Sequence, residues 1–342
     1  EVPWYMGNSS SDACCCADKT PTNIPVECGN RSGGRDESCK DLCQSFPSMS
    51  PIAQFEPPFA DDGGMIFLEG GLRFLGNLKD GKKTGFGVLE RPDGSRFEGE
   101  FKEDRASGKG MLVCATGDVY EGQWVDDQAS GFGRYTQMDG SCYEGEWKED
   151  QKEGFGEETW PDGSRFEGCF KGNLKEGQGT FVWANGACYI GEFSQDNIHG
   201  TGEYRWSDGR HYHGQWSKNT LHGLGDMSWP DKRRYVGSYL RNQKHGRGCF
   251  CWANGTQYVG QWAGGKQHGL GKFLAKDGKV RRGRWQNGEV LSWLDAPRAE
   301  EPTDGFLHGD APCGLFEDPI SEGLSSAPPA LKAREVLRSR MV

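Results

Sequence analysis

Apolar and polar residues alternate along short stretches of this chain, and glycine-rich turns separate the stretches. The stretch Tyr143–Trp147 has the order aromatic, acidic, glycine, acidic, aromatic, which is typical of a strand with one packed and one solvated face. Polar residues 148–153 predict a loop, and residues 154–160 predict a second strand. The segment Pro161–Gly163 predicts a tight turn, because Asp-Gly readily supplies positive φ. The pattern therefore predicts a β-hairpin.

The same hairpin pattern begins again every 23 residues, with no insertion or deletion. Counted from the opening residue of each repeat, position 3 is glycine throughout, and positions 12 and 14 are glycine in all nine complete repeats. A fixed period of this size indicates an array in which each unit packs on its neighbours. We predict an all-β fold, an elongated single-sheet array of about nine and a half β-hairpin repeats. The repeats begin at Phe74, Phe97, Tyr120, Tyr143, Phe166, Tyr189, Tyr212, Tyr235 and Tyr258, and Arg281 opens the partial tenth.

Two columns of large aromatic side chains recur in the array, at positions 5 and 18. We expect the glycines at positions 3 and 14 to let these rings lie flat over the backbone, since glycine has no Cβ. Buried rings of this size predict a core. The alternative interpretation is that part of the ladder lines an exposed groove for a peptide or a lipid. The tryptophans of this aromatic ladder are Trp124, Trp147, Trp160, Trp183, Trp206, Trp216, Trp229, Trp252, Trp262 and Trp285.

These residues resemble the MORN (membrane occupation and recognition nexus) repeat, whose pattern is Tyr-x-Gly-x-Trp, then Gly-x-Gly, then Asp-Gly. The segment Tyr143–Gly163 shows the whole pattern, and Tyr189–Phe193 with His199–Gly202 shows its first two parts. The resemblance implies an elongated, non-catalytic module that scaffolds, dimerises or touches membrane. MORN arrays occur in ciliary spoke heads, membrane-junction tethers and cytoskeletal scaffolds. They also occur in phosphatidylinositol phosphate kinases and in a lysine methyltransferase.

Composition divides the chain into three parts. Residues 1–63 are rich in cysteine and then in serine and proline, which predicts a disordered tail. Residues 64–290 are the predicted array, and residues 291–342 predict a linker. Within this last part, Pro329–Val342 predicts a short helix that is too short to be stable alone in water.

Charge is distributed unevenly along the array. Residues 74–188 carry 14 Lys and Arg against 22 Asp and Glu, whereas residues 189–290 carry 16 against 8. Opposite charges on the two halves would steer association, and they predict an antiparallel homodimer that dissociates in ~0.5 M salt. The alternative is two solvated surfaces without a ligand. We predict that an anionic lipid surface or an acidic partner binds Lys232, Arg233, Arg234, Lys279, Arg281, Arg282 and Arg284.

The sequence contains no pattern that indicates catalysis. It has no nucleophile–base signature, phosphate loop or paired-carboxylate motif, and its Gly-x-Gly copies do not open a helix. Histidine recurs at position 11 in four repeats, but repeats ~10 Å apart cannot share a zinc ion. We therefore predict no catalytic residue, no metal and no cofactor. Nucleic acid is not a predicted partner, because the net charge of the chain is −10.

Three adjacent cysteines, Cys14, Cys15 and Cys16, lie near the apolar segment Trp4–Met6. Adjacent cysteines are suitable acceptors for S-acylation, so this is a candidate lipidation site. A small disulfide or metal knuckle is one alternative. A tail without any role is the other.

The combined features predict a non-catalytic scaffold or tether that binds anionic membrane, phosphoinositides included, or a cytoskeletal protein. No apolar run approaches the roughly 18 residues of a membrane-spanning helix, and no signal-peptide pattern is present. We therefore expect an intracellular location, in the cytoplasm, at the membrane periphery, or on the cytoskeleton or cilium. The alternative is the targeting or regulatory array of a larger enzyme, such as a phosphatidylinositol phosphate kinase or a lysine methyltransferase, truncated here.

Overall fold

The computed structural model describes residues 64–294. These residues form one antiparallel sheet of 21 strands, with no α-helix in the described part of the chain. The all-β, single-sheet prediction is confirmed. A 3-10 turn, Glu69–Gly71, separates the first two strands. The strands are β1 (Ile66–Phe67), β2 (Arg73–Lys79), β3 (Lys82–Glu90), β4 (Arg96–Lys102), β5 (Arg105–Val113), β6 (Val119–Val125), β7 (Gln128–Thr136), β8 (Cys142–Lys148), β9 (Gln151–Thr159), β10 (Arg165–Lys171), β11 (Leu174–Val182), β12 (Cys188–Ser194), β13 (Asn197–Arg205), β14 (His211–Ser217), β15 (Thr220–Ser228), β16 (Arg234–Leu240), β17 (Gln243–Cys251), β18 (Gln257–Ala263), β19 (Lys266–Leu274), β20 (Val280–Gln286) and β21 (Glu289–Trp293).

The described residues fall into two compact units. The first comprises residues 64–177 and 181–184, and the second comprises residues 178–180 and 185–294, so the boundary lies within β11. In both units each strand pairs with the next, and position 1 of a repeat lies opposite position 16 of the same repeat. The predicted tail over residues 1–63 and the predicted helix Pro329–Val342 lie outside the described residues.

The hairpin turn within each repeat is tighter than the sequence pattern predicted. In the fourth repeat β8 ends at Lys148 and β9 begins at Gln151, so only Glu149 and Asp150 lie between them. Their φ angles are 50° and 65°, as a two-residue type I′ turn requires. The predicted loop over 148–153 is therefore wrong, because a polar stretch does not distinguish a loop from a strand whose side chains face solvent.

The turn between repeats follows the prediction. In the fourth repeat the Gly163 amide donates a hydrogen bond to the Trp160 carbonyl at 2.9 Å. The Asp162 carboxylate accepts a second bond from the Ser164 amide at 2.7 Å. Gly163 has a φ of 89°, which explains the recurrent Asp-Gly or Asn-Gly in these turns.

The opening aromatic of each repeat covers a pair of glycines. Tyr143 on β8 is 1% exposed, and its ring lies over Gly145 and Gly156, which are register partners on β8 and β9. A Cβ on Gly145 would come within 2.6 Å of both the Gly156 Cα and the Tyr143 hydroxyl oxygen. Only glycine therefore fits beneath the ring. The Tyr143 hydroxyl donates a hydrogen bond to the Glu146 carbonyl at 2.9 Å.

The ring over the glycines thus belongs to position 1, and the expectation that rings at positions 5 and 18 lie there is wrong. Side chains two residues apart on a strand point to the same side of the sheet, so the position-1 ring leans along its own strand over position 3. We call the side of the sheet that carries positions 1, 3 and 5 the core face. The side that carries positions 2 and 4 is the opposite face.

The aromatic rings of neighbouring repeats interlock on the core face. The Tyr143 ring meets Trp147 of its own repeat at a centroid distance of 5.2 Å and Phe170 of the next repeat at 5.0 Å, edge-to-face in both pairs. In the second compact unit, Tyr235 meets Tyr239 at 5.1 Å and Trp262 at 5.2 Å in the same geometry. Edge-to-face pairs of this kind are stabilising by about 0.5–1.5 kcal/mol each beyond the buried area.

Tryptophan at position 5 makes a further contact that phenylalanine does not make. Its indole N–H donates a hydrogen bond to the carbonyl of the position-14 glycine in the preceding repeat. The buried N–H is thereby satisfied, and the bond also connects one hairpin to the previous one. These bonds are Trp124 to Gly110, Trp147 to Gly133, Trp216 to Gly202 and Trp262 to Gly248, at 3.0–3.2 Å.

An Asp or Asn at position 8, at the tip of the tight turn in the second to eighth repeats, also joins successive hairpins. The Asp150 amide donates to the Ala129 carbonyl at 3.0 Å, and the Asp150 carboxylate accepts from the Ala129 amide at 2.7 Å. Asn219 and Asn242 accept the equivalent bond in the second unit. Either side chain serves, because the contact needs only one acceptor oxygen.

We predict that Gly145→Ala destabilises the protein by ~1–3 kcal/mol or more, because the added methyl group must displace backbone and a buried ring. The measurement is urea unfolding followed by tryptophan fluorescence. Gly163→Asn is the matched control, since a Cβ there meets no atom within 4 Å and Asn tolerates positive φ. Equal stability of the two variants would contradict the close-contact account.

We predict that Asp150→Ala costs ~1–2 kcal/mol, whereas Asp150→Asn leaves stability at pH 7 unchanged or slightly higher. Burial raises the pKa of the Asp150 carboxyl, more than the hydrogen bond from Ala129 lowers it. The folded state therefore binds this proton more tightly than the unfolded state, and the stability of wild type relative to Asn declines as pH rises from the acid side. Unfolding of the three proteins between pH 3 and pH 7 measures both effects.

Candidate functional site

The tryptophans of the predicted ladder divide into two environments. Those at position 5 are buried: Trp124, Trp147, Trp216, Trp262 and Trp285. Those at position 18 follow the second strand of a repeat and are half-buried: Trp160, Trp183, Trp206, Trp229 and Trp252. The first group belongs to the core of the sheet, whereas the second group lies at its margin.

Position-18 tryptophans contact aromatic residues at position 16. In the first unit Trp160 stacks on Phe181 at 5.4 Å, and Phe181 meets Trp183 at 4.5 Å. In the second unit Tyr204 meets Trp206 at 4.5 Å. Ring contacts of this kind account for part of the burial of these tryptophans.

The structure separates the seven predicted basic residues into different environments. Lys232 and Arg233 lie in the loop between β15 and β16, where Arg233 pairs with Asp231 at 2.7 Å. Arg234 is on β16, with its guanidinium against the Asp226 carboxylate. Ion pairing therefore already uses two of these three charges within the molecule.

The remaining four predicted cations lie at or near β20. Lys279 pairs with Asp277 at 2.8 Å in the preceding turn, and Arg281 on the core face stacks on Trp293 at 3.7 Å. Arg282 and Arg284 are exposed and form no ion pair with another residue in the range 64–294. Of the predicted set, these two arginines share one face of one strand.

The opposite face of β19 and β20 combines these arginines with further cationic and apolar side chains. In the register of the two strands, Lys272 lies across from Arg282 and Leu270 lies across from Arg284. Val280 stands on the same face and is 53% exposed, and Leu270 is 36% exposed. We call Leu270, Lys272, Val280, Arg282 and Arg284 the terminal basic patch.

Sequence reasoning missed Lys272, Leu270 and Val280. The available signal was the period-2 alternation of β19 and β20, which places residues 270, 272, 280, 282 and 284 on one side once the register is known. That register depends on the turn between the strands. A cluster of basic residues along the sequence therefore does not by itself show which side chains share a surface.

A buried ion triad interrupts the aromatic core of the first unit. Glu158 occupies position 16 of the fourth repeat and is 6% exposed. Its carboxylate lies 2.5 Å from the Lys152 ammonium and 2.7 Å from the Lys175 ammonium. Lys152 also lies over the Tyr143 ring at 4.8 Å, and Lys175 lies over the Trp160 ring at 5.0 Å.

The triad is electrostatically compensated. Burial by itself would raise the pKa of the Glu158 carboxyl, but the charges and hydrogen bonds of Lys152 and Lys175 together outweigh burial and hold this pKa below its ordinary value. Lys152, Glu158 and their neighbours also line a shallow pocket with Tyr135, Cys142 and Trp160. With both ammonium groups engaged, the triad has the features of a structural ion network.

Three further features were considered in the sequence: a lipidation site, a metal site and a membrane-spanning helix. The possible S-acylation site at Cys14, Cys15 and Cys16 lies outside the described residues. Within residues 64–294, no group of three or more His, Cys, Asp or Glu side chains converges as metal ligands would. No helix in that range is long and apolar enough to cross a membrane.

Comparison with known families agrees with this geometry. The family model described as MORN repeat matches nine consecutive segments between residues 74 and 280. The chain therefore belongs to the MORN repeat family. That family is generally a non-catalytic repeat module, which supports a repeat-based scaffold or binding role. The nine segments are residues 74–96, 97–119, 120–142, 143–165, 166–188, 189–209, 212–232, 235–257 and 258–280.

Similar solved structures include domains of centriolar CPAP proteins. The TCP domain of Drosophila melanogaster SAS-4 (dCPAP), solved with a proline-rich motif of Ana2, is 14% identical, with 54% of this chain and 98% of that chain covered and a TM-score of 0.32. The TCP10 domain of Danio rerio CPAP is 12% identical, with 68% and 100% covered and a TM-score of 0.23. Scores this low support no functional comparison. No curated protein matches the chain.

We predict that Glu158→Leu alone costs ~3–5 kcal/mol, because it leaves two ammonium groups buried without a carboxylate. The triple variant Lys152→Met, Glu158→Leu, Lys175→Met is expected to be as stable as wild type or more stable, since other repeats place apolar residues at these positions. Chemical unfolding measures both variants. A triple variant as unstable as the single one would contradict the account.

The same triad has a pH signature. Because the pKa of Glu158 is lowered in the folded state, its stabilisation is present above the unfolded pKa of ~4.3 and is lost as pH falls through the lower folded value. Wild type should therefore lose stability below about pH 4 more steeply than the triple variant.

Proposed function

We propose that this protein is a non-catalytic scaffold or tether that attaches to an anionic phospholipid surface through the terminal basic patch. The observation that carries the proposal is the presence of Arg282 and Arg284, exposed and without an ion pair in residues 64–294, beside exposed Leu270 and Val280 on one face. Cations steer the surface towards anionic headgroups, and the aliphatic side chains favour the headgroup–acyl boundary.

The distribution of charge in the second half of the array also supports attachment through the terminal basic patch. Residues 189–290 carry twice as many basic as acidic residues. Several of these basic side chains are ion-paired, whereas Arg282 and Arg284 are available to an external anion. Each basic residue near an anionic surface contributes ~1 kcal/mol, so two or three of them give weak, salt-sensitive attachment.

The proposed cellular setting is intracellular, at the membrane periphery or on the cytoskeleton or cilium, with phosphoinositides as the most highly charged lipid partner. A patch on β19 and β20 leaves the other strands available to protein partners. A role as the targeting array of a lipid kinase or methyltransferase is the alternative, and the matched family segments, which are repeats, add no support to it.

We predict that the full chain floats with vesicles containing phosphatidylserine or a phosphoinositide and does not float with neutral phosphatidylcholine vesicles. Arg282→Glu with Arg284→Glu should weaken binding at least ~30-fold, corresponding to ~2 kcal/mol for two lost cations. Binding should also decline steeply at 0.5 M salt, because the Debye length there is shorter than the ~8 Å of physiological ionic strength and the charges are screened.

The matched control is Arg210→Glu with Arg233→Glu. It changes the net charge by the same amount, but both arginines are already paired, with Asp208 and Asp231 respectively. Equal loss of binding in the two double variants would show an effect of net charge and not of the patch. No flotation with any vesicle would overturn the membrane proposal and favour a protein partner, such as a cytoskeletal protein or a second copy of the chain.

A further inference from the structure

Lysine occupies position 10 in four repeats, on the core face opposite the position-5 aromatic. Three of the four lysines have a carboxylate partner. Lys83 lies 3.4 Å from Asp104, and Lys152 and Lys175 share Glu158. The fourth, Lys244 on β17, forms no ion pair or hydrogen bond through its ammonium group within residues 64–294.

Aromatic rings surround the Lys244 ammonium group instead. Its nitrogen lies 4.3 Å from the centroid of Trp262, 4.5 Å from that of Phe250 and 5.5 Å from that of Tyr235. Phe250 occupies position 16, where the fourth repeat has Glu158. The carboxylate that neutralises two lysines in the first unit is thus replaced by a phenyl ring.

The charged and titratable groups that face Lys244 do not compensate its charge. On β16 they are Tyr235 and Tyr239, whose phenol pKa values are raised by burial, so both are neutral. The facing residue of β18, Trp262, does not titrate. The loop before β16 contributes Arg233, whose positive charge acts against the ammonium form. No carboxylate contacts the Lys244 side chain in residues 64–294.

These surroundings favour the neutral amine. Burial, and then the charge of Arg233, lower the pKa of Lys244 to about 8. The ring faces stabilise the ammonium ion only in part. At pH 7.5 about a quarter of such amines are neutral, whereas an ordinary lysine, with a pKa of ~10.4, is neutral in roughly one molecule in a thousand. A neutral amine is the nucleophilic form.

We propose that Lys244 is a modification site at which small acyl thioesters acylate the protein. The amine nitrogen attacks the thioester carbonyl, so that a C–N bond forms, the C–S bond breaks and the thiolate leaves with the bonding electron pair. The nitrogen then loses one proton to water, and the product is an amide and a thiol. The half-buried cage restricts the donor to a short acyl chain, and the neutral amide product replaces an incompletely compensated cation among the rings.

The test is acetylation of the folded full chain by a small neutral acetyl thioester at limiting dose and pH 7.5, followed by peptide-resolved mass spectrometry. Lys244 should react about tenfold faster than exposed Lys218 and Lys266, since its larger neutral fraction outweighs lower basicity and partial burial. Its rate should level off above about pH 8, whereas an ordinary lysine amine gains reactivity up to pH ~10.

Two variants test whether the aromatic side chains around Lys244 cause its higher rate of acetylation. Phe250→Glu places a carboxylate where Glu158 stands in the fourth repeat, and it should reduce Lys244 acetylation to the rate of the exposed lysines or below. Phe273→Glu is the matched control, because it makes the same change at position 16 of the next repeat, and it should leave the Lys244 rate unchanged. Circular dichroism checks that both variants are folded.

If Phe250→Glu does not fold, Arg233→Gln carries the test. Loss of the neighbouring charge should slow Lys244 acetylation at pH 7.5 several-fold and shift its plateau to higher pH. A wild-type Lys244 that reacts no faster than Lys218, or a rate with no plateau near pH 8, would overturn the proposal. Neither result depends on membrane binding.

Discussion

The contact between a position-1 ring and two glycines that face each other across a hairpin is the constraint on which the rest of this structure depends. In the fourth repeat a Cβ on either Gly145 or Gly156 would come within 2.6 Å of ring or backbone atoms. The ring is therefore held flat on its own hairpin, and its edge is presented to the tryptophan or phenylalanine of the next repeat. Within each unit, a sheet one layer thick gains an apolar core in this way without a second layer.

This constraint explains why the period tolerates no insertion. One additional residue would move the glycine of one strand out of register with its partner and place a side chain under the ring. The hydrogen bonds of the tryptophan indoles and of the Asp or Asn at position 8 also require the 23-residue spacing. Each of them joins one hairpin to its neighbour, so the repeats are stabilised mainly through nearest-neighbour contacts.

Positions outside this set are free to vary, and they carry the features that distinguish this chain from a generic array. Position 16 is aromatic or aliphatic in most repeats, but Glu158 and its two lysine partners form an ion network in one and Phe250 leaves Lys244 without a carboxylate in another. The opposite face has no ring contact to maintain, so its side chains change from acidic in the first half to basic at β19 and β20. Chemistry and surface recognition thus occupy positions other than the position-1 ring, the paired glycines and the position-5 aromatic.

Much of the fold follows from the sequence alone. The 23-residue period, the alternation over Tyr143–Trp147 and the Asp-Gly turns were enough to predict an antiparallel all-β array, since each depends on local backbone geometry and on spacing. The tight turn at Glu149 and Asp150 could not be predicted in this way, because a charged stretch has the same appearance in a loop and at a hairpin tip.

The residues that share a surface could be identified only from the tertiary structure. Seven basic residues formed one group in sequence, but strand register and ion pairing left Arg282 and Arg284 together and added Lys272, Leu270 and Val280 from the neighbouring strand. The cage around Lys244 combines rings from three strands, Tyr235, Phe250 and Trp262. Sequence spacing determined this protein's repeat and its core, because those contacts are local. Its candidate sites were decided by which side chains from different strands share a face, and only the assembled sheet sets that.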